Sequence, residues 1–394
     1  VSQAVIVGGV RSPVGSFGGA LREVSAAELG GLVLQEALRR TKIDPSQVDE
    51  VIMGCIGQIA EDAYIARRCA IHAGLPVTVP ALSINRLCSS GLQAIVSASH
   101  AIASGQAGII LAGGTENMSQ FPFYVRKGRW GYRLGHGTLE DGLILALTDP
   151  FTNVHMGATA EKVAEQYGIS RQEQDRFAWE SQQKAGSAIR QGRFRDQVLP
   201  IPILQPKGEP RIFDQDEHPR FDTSLEKLSA LKPAFKPDGT VTPGNSSGIN
   251  DGASAVVMMS EELVERLSLS EYFLVRSTAA VGVDPALMGL GPIPSIQKAL
   301  RIAGLDLEQI DLIELNEAFA STTLAVIKEL SIRPERVNVN GGAIALGHPV
   351  GATGSILTVK LMEEMRRRGV QFGLVSLCVG GGQGLTVILE RVST

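Results

Sequence analysis

Two kinds of apolar pattern divide the chain. Short unbroken runs mark buried strands, and stretches in which apolar residues recur every three or four positions mark helices packed on a core. The opening, Val1-Ser2-Gln3-Ala4-Val5-Ile6-Val7, reads as a strand. In Leu82-Ser83-Ile84-Asn85-Arg86-Leu87-Cys88-Ser89-Ser90-Gly91-Leu92 a short run turns through a cysteine into the helical pattern, with Leu92, Ile95, Val96 and Ile102 apolar and Ala94, Ser97, Ala98 and Ala101 small. That spacing and smallness predict a buried helix with Cys88 at or just before its N-terminus. There the unpaired N–H groups and the helix dipole favour an anion, and the expectation is a lowered thiol pKa.

The pattern occurs twice. Residues 37–51 align without a gap on residues 299–313, each reading as the end of a helix, a short loop and a strand. Ser89-Ser90-Gly91-Leu92 and its helix match Ala352-Thr353-Gly354-Ser355 and the helix through Leu357, Leu361 and Met365. Each helix leads to a strand ending in paired glycines, Gly113-Gly114 in one copy and Gly380-Gly381 in the other. Preserved order as well as local similarity marks an internal duplication. Such βα units imply sheets covered by helices on both faces, here two sheets sharing helices between them.

The closing strand of the second copy, Leu385-Thr386-Val387-Ile388-Leu389, has its counterpart at residues 253–258 rather than directly after Gly114, so the first copy is interrupted. The expected division is residues 1–118 plus 249–268 for the first half, 119–248 for an inserted loop domain, and 269–394 for the second half. The insertion has a cationic, aromatic segment over residues 124–133, then two helices, the second starting at the capping box Ser170/Glu173 and ending near Gly192. A proline-rich stretch follows, with Pro200, Pro202, Pro206, Pro210 and Pro219. Substrate recognition is expected on this lobe, because loops on a rigid scaffold commonly carry it.

Composition narrows the function. A net charge of -4 provides no basic field for nucleic acid, and no apolar stretch approaches membrane-spanning length. The four cysteines, Cys55, Cys69, Cys88 and Cys378, form no C-x-x-C pair, which speaks against a disulfide framework or a metal site and for a reducing, cytoplasmic compartment. Cys55 and Cys69 read as packing residues, and His72, His100, His136 and His218 as structural or superficial.

The remaining candidates lie at strand ends and glycine loops. Gly347-His348-Pro349-Val350-Gly351-Ala352-Thr353-Gly354 opens a helix but lacks the lysine of a P-loop and the spacing of a dinucleotide fingerprint. In the repeat, Cys88 aligns near Gly351, so a thiol and the His348 imidazole would face one pocket from two related helix starts. Cys378 ends a strand and runs into Val379-Gly380-Gly381-Gly382-Gln383-Gly384, whose backbone N–H groups could meet an oxyanion. Asn316-Glu317 follows a strand, where helix capping is the default role. Read singly, each of these is equally a packing or capping residue.

Together, Asn85-Arg86-Leu87-Cys88-Ser89-Ser90-Gly91, Asn316-Glu317-Ala318-Phe319, residues 340–349 and Cys378-Val379-Gly380-Gly381-Gly382-Gln383-Gly384 resemble the thiolase family over essentially the whole chain. The resemblance implies an α/β thiolase fold, with duplicated halves forming a five-layered αβαβα core and an inserted loop domain. It implies an acyl-CoA C-acyltransferase that condenses two acetyl-CoA to acetoacetyl-CoA and CoA. Coenzyme A and acyl-CoA are substrates, with no tightly bound cofactor, no metal, and a homodimer or homotetramer with residues 124–133 as a contact. By the same resemblance Cys88 carries the acyl group, His348 activates it, and Cys378 moves the proton at the substrate's alpha carbon or leaving thiol. Asn316 holds a water with His348 at one oxygen, and the N–H groups of Cys88 and Gly380 serve the other. Arg220 is implied near the nucleotide, Leu231 and Phe235 along the pantetheine, Ser247 and Gly248 at its inner end, and His155, Met156 and Phe319 near the acyl pocket.

His155-Met156-Gly157 is similar to the acetoacetyl-CoA type, whereas Ser89-Ser90 is closer to the degradative 3-ketoacyl-CoA type. Acetoacetyl-CoA with some tolerance for longer chains is therefore the expectation. A ketoacyl synthase-like enzyme would place histidine or asparagine where Cys378 stands, and a non-catalytic member would lack one of Cys88, His348 or Cys378.

Overall fold

The computed structural model describes residues 3–205 and 208–393. Val1 and Ser2 of the expected first strand, and Pro206 of the proline-rich stretch, lie outside the described residues. The first half comprises β1 (Ala4–Arg11), α1 (Ala26–Thr41), β2 (Glu50–Gly54), α2 (Ile65–His72), β3 (Ala81–Ile84), α3 (Ser90–Ala103) and β4 (Ile109–Asn117). The chain then leaves the sheet, forms α4 (Met156–Tyr167) and α5 (Arg171–Arg190), and returns as β5 (Asn250–Ser260). The second half comprises β6 (Glu271–Gly282), α6 (Pro292–Ala303), β7 (Leu312–Leu315), α7 (Ala320–Glu329), α8 (Thr353–Arg368), β8 (Phe372–Val379) and β9 (Gln383–Ser393).

The strands run in the order β7-β8-β9-β6-β1-β5-β4-β2-β3, nearly symmetric about its middle. Both halves have antiparallel inner strands and parallel outer ones: β4 beside β2 in one, β8 beside β7 in the other. Where two separate sheets were expected, the half-sheets join edge to edge. Among the described residues the junction is narrow, Val5 with Leu274 and Ile6 with Phe273. The counterpart of β3 in the second half shrinks to a single parallel bridge, Ile313 to Val337.

The aligned repeat segments fold alike. In each, a helix gives way to a short 3-10 turn, Pro45–Gln47 or Leu307–Gln309, and the turn carries the same capping box, Asp44 with Gln47 and Asp306 with Gln309. Three main apolar clusters separate five layers. The α1 and α2 side chains pack on one half-sheet, α6 packs on the other, and a middle cluster joins Leu92 and Ile95 of α3 to Leu357 and Leu361 of α8 with strands of both halves. The two central helices meet at their glycine-bearing starts. A Cβ on Gly354 would lie 2.3 Å from the Leu92 nitrogen, and one on Gly91 would lie 3.0 Å from the Gly351 carbonyl oxygen.

The segment outside the sheet is tied to it by charge. Arg11, 1% exposed at the end of β1, pairs with Asp216 at 2.6 Å and donates to Gln197 at 2.9 Å. In α5 the capping box expected at Ser170 and Glu173 is present. Around residues 124–133 the chain lies open, with Trp130 86% and Leu134 97% exposed. Among the described residues, no helix is long and apolar enough to cross a membrane, and no group of three acidic, histidine or cysteine side chains is placed to hold a metal ion.

Candidate active site

Cys88 stands in a 3-10 turn, Leu87–Ser89, that leads into α3. Leu87 ahead of it has φ +44°, a left-handed conformation that costs a non-glycine residue roughly 1–2 kcal/mol. Side-chain bonds hold the turn. Asn85 Oδ1 accepts from the Leu87 N–H at 3.0 Å, and Ser90 Oγ accepts from the Arg86 N–H at 2.9 Å while donating to the Leu87 carbonyl at 2.6 Å. Arg86 also donates to Gln383 Oε1 at 3.0 Å, joining this turn to the glycine loop after Cys378.

His348 comes from the other half. Its backbone N–H donates to Asn250 Oδ1 at the start of β5, 2.9 Å. Its Nδ1 lies 2.6 Å from Thr353 Oγ1, and that hydroxyl donates its one proton to the Pro349 carbonyl at 2.8 Å. Thr353 can therefore only accept from Nδ1–H, which leaves the lone pair on Nε2. Burial pushes His348 down to about 4, so the ring is neutral near pH 7. Asn316 Nδ2 lies 3.4 Å from Nε2, and Asn316 Oδ1 is buried with no partner among the described residues, free to accept from a substrate group or water.

The two thiols do not behave as helix position alone predicts. Cys88 is half-buried and open to the cavity, yet packed by protein on its other sides, and burial pushes its thiol up. The N–H groups of Gly380 and of Cys88 itself oppose the rise. The expected lowered pKa is thus overturned: desolvation outweighs the helix N-terminus. The resting thiol is protonated and needs a base. Cys378, at the end of β8 and 2% exposed, is likewise pushed up by burial and, next, by its proximity to Cys88.

One cavity of about 410 Å³ gathers most of the candidates. Cys88, His348, Cys378 and Gly380 line it together with His155, Met156, Arg220, Phe235, Ser247, Gly248 and Phe319. The ring of Phe235 stacks on His155 with centroids 4.7 Å apart and meets Phe319 edge-on at 6.2 Å. His155 also caps α4, its Nδ1 accepting from the Gly157 N–H at 3.1 Å. Leu231 lies elsewhere, lining an adjoining cleft of about 280 Å³ that shares Arg220 and His218 with the cavity. Asn316 reaches the site through His348 rather than through the cavity wall.

Three residues read otherwise in the sequence. Asn316 and Glu317 cap no helix. Phe319 occupies the N-cap of α7 without a side-chain bond, and Glu317 is buried, accepting from Ser181, Asn338 and the Ile344 N–H. His218 is a wall of both cavities. Its one sequence signal is its place two residues before Arg220. Met118 and Met288, also lining the cavity, had no signal, since methionine in an apolar stretch is ordinarily core.

Two family models divide the chain: the thiolase N-terminal domain matches residues 4–262 and the thiolase C-terminal domain residues 271–391. An acetyl-CoA acetyltransferase of Pseudomonas aeruginosa is 51% identical over 392 residues, 99% of this chain and 100% of that protein. The crystal structure of the Bacillus anthracis acetyl-CoA acetyltransferase superposes with a TM-score of 0.97 at 47% identity, covering 99% of both chains. Human mitochondrial 3-ketoacyl-CoA thiolase in complex with CoA gives 0.95 at 43% identity, covering 100% of this chain and 98% of that one.

Proposed function

The chain belongs to the thiolase family, and from that premise we propose that it is an acetyl-CoA C-acetyltransferase, condensing two acetyl-CoA to acetoacetyl-CoA and CoA and reversing the reaction by thiolysis. The observation that carries this reading is one cavity holding a thiol from each half, Cys88 and Cys378, beside a neutral histidine whose Nε2 is kept unprotonated by Thr353.

In the direction of thiolysis, His348 Nε2 takes the Cys88 proton and the thiolate attacks the C3 carbonyl of acetoacetyl-CoA. The C2–C3 bond breaks and Cys378 gives its proton to C2, releasing acetyl-CoA and leaving acetyl on Cys88. CoA then gives its thiol proton to the Cys378 thiolate and attacks the acyl-enzyme. A second acetyl-CoA leaves, and the Cys88 thiolate regains its proton from His348. Covalent capture divides carbon–carbon chemistry into two easier steps. The N–H groups of Cys88 and Gly380 serve the acyl oxygen. Protonated His348, with a water held by Asn316, serves the enolate oxygen, and donors already fixed in place need no reorganisation as the charge develops.

The CoA arm would pass Ser247, Gly248 and Phe235 and reach Arg220, with Leu231 in the adjoining cleft. His155, Met156 and Phe319 would bound the acyl end. In this reading residues 119–248 are a CoA-binding loop domain carried between the first half, 1–118 with 249–268, and the second, 269–394. The exposed apolar side chains near residues 124–133 fit a contact of a homodimer or homotetramer, and four free cysteines fit a reducing, cytoplasmic compartment.

A degradative 3-ketoacyl-CoA thiolase of broader chain length is the second reading, favoured by Met118, Met156 and Met288 around the cavity, flexible side chains that repack for different chains. CoA-dependent thiolysis of four-, six- and eight-carbon 3-ketoacyl-CoA at one CoA concentration separates the two. A steep fall with length is expected for the acetyltransferase. Equal or rising rates would assign the broader enzyme.

A further inference from the structure

Glu116, the penultimate residue of β4, takes no part in the steps above, yet its carboxylate is 1% exposed among the catalytic loops. Its Oε2 accepts from the Ile56 N–H at 2.9 Å and the Gly351 N–H at 2.8 Å. Its Oε1 accepts from the Gly57 N–H at 3.0 Å and from the Cys55 thiol at 3.4 Å. Three of these donors belong to the loop after β2 in the first half. The fourth belongs to the His348 loop of the second.

The fit at Gly351 is close from both sides. A Cβ there would lie 2.4 Å from Glu116 Oε2 and 2.7 Å from the Cys55 Cα, and one on Gly114 of β4 would lie 2.2 Å from the Gly351 carbonyl oxygen. Onward from Gly351 the backbone is stiff, the N–H groups of Ala352 and Thr353 both reaching the Pro349 carbonyl at 2.9 Å. Thr353 then holds His348 Nδ1. A shift at Gly351 is therefore passed to the imidazole.

We infer that Glu116 is a positioning residue that locks the His348 loop onto the first half, and through Gly351 and Thr353 holds the imidazole over Cys88. This rests on the acyl-transfer reading of Cys88 and His348. The electrostatic surroundings agree with the geometry. Burial pushes Glu116 up to about 7 against the N–H groups of Ile56 and Gly57, the Cys55 thiol and the Gly351 N–H. Its negative charge also raises Cys88, by less than burial does and by less than the N–H groups of Gly380 and Cys88 lower it. The other groups on this side do not neutralise it. Cys55 has Cys69 beyond it, and Glu61 and Asp62 line the same recess as Glu116, with Arg68 committed to Asp62. On the neighbouring β5, Asp251 accepts from the N–H and hydroxyl of Ser119.

Glu116→Gln keeps the shape but removes the charge and two acceptor sites. Alkylation of Cys88 by iodoacetamide, followed from pH 7 to 9 by peptide mass spectrometry, is expected to speed up about twofold to threefold at pH 8, because the thiolate is no longer opposed. Thiolysis is expected to lose kcat about tenfold with KM for CoA and acetoacetyl-CoA nearly unchanged, the mark of a displaced base rather than lost binding. A Glu116→Gln protein with the parent kcat and the parent alkylation profile would overturn the proposal, whatever its melting temperature. Glu116→Asp, with the charge kept and the reach shortened, covers the case in which the glutamine variant does not fold: lowered kcat with the parent alkylation profile supports the inference, and unchanged kcat overturns it. Alkylation needs no substrate, so absence of thiolysis in the parent protein would refute the acyl-transfer reading while leaving this arm decisive.

Discussion

Thr353 decides which nitrogen of His348 carries the proton, and it does so through a hydroxyl whose own proton is spent on Pro349. Thr353→Val removes the acceptor while keeping the shape, and kcat is expected to fall about ten- to a hundredfold with KM little altered, while Thr353→Ser restores it. Steady-state thiolysis reads both. The two thiols separate by step. Cys88→Ala should form no acyl-enzyme, whereas Cys378→Ser should still be acylated by acetyl-CoA yet neither condense nor cleave; labelled acetyl on the first or normal turnover by the second would contradict these roles. Acid acts on buried groups of opposite sign. An unfolded histidine titrates near 6.5 but folded His348 near 4, so the unfolded chain binds the proton first and stability falls by about 3 kcal/mol as pH drops through that window. Glu116 works the other way, the folded protein binding its proton first between about 7 and 4.5, so its contribution rises on acidification. His348→Asn should therefore lose less stability than the parent between pH 6.5 and 4, measured by urea unfolding at fixed temperature.

Between elements, glycine carries the central contact. Gly91 and Gly354 occupy equivalent places in the two copies, and each lets the start of one buried helix touch the other. Gly354→Val would drive a side chain into the Leu92 backbone at 2.3 Å, and neither α3 nor α8 can retreat between two half-sheets. Such overpacking costs about 1–3 kcal/mol or more, and the variant should show a lowered urea midpoint or fail to fold. The inserted segment depends on a charge instead. Asp216→Ala would strand Arg11, 1% exposed, and removing one partner of a buried pair costs about 3–5 kcal/mol. The same denaturation experiment checks it, and a loss under about 1 kcal/mol would mean that Gln197 and the Ser12 carbonyl satisfy the guanidinium without Asp216. Both contacts explain residues whose types were visible in the sequence while their partners, hundreds of positions away, were not.

At the scale of the molecule, duplication places two helix starts face to face, and the candidate site is a cavity at the seam between them, lined by Cys88 from one copy and His348 and Cys378 from the other. The repeat, the two central helices, the strand ends at Cys378 and Asn316 and the interruption of the first copy were legible because they rest on periodicity, glycine placement and local capping, which short stretches of chain dictate. Capping boxes at Asp44, Ser170 and Asp306 follow from the same local chemistry. What only the tertiary structure decided concerns burial and distant partners. It turned the expected acidic thiol of Cys88 into one raised by desolvation, made Asn316 a partner of His348 and Glu317 a buried network residue instead of caps, moved His218 to the cavity wall, and fused two sheets through Val5 and Ile6. A helix dipole is fixed by the local sequence, but the dielectric around a thiol is set by whatever else folds against it. That is why the residue types could be read from the chain, and their ionisation and partners could not.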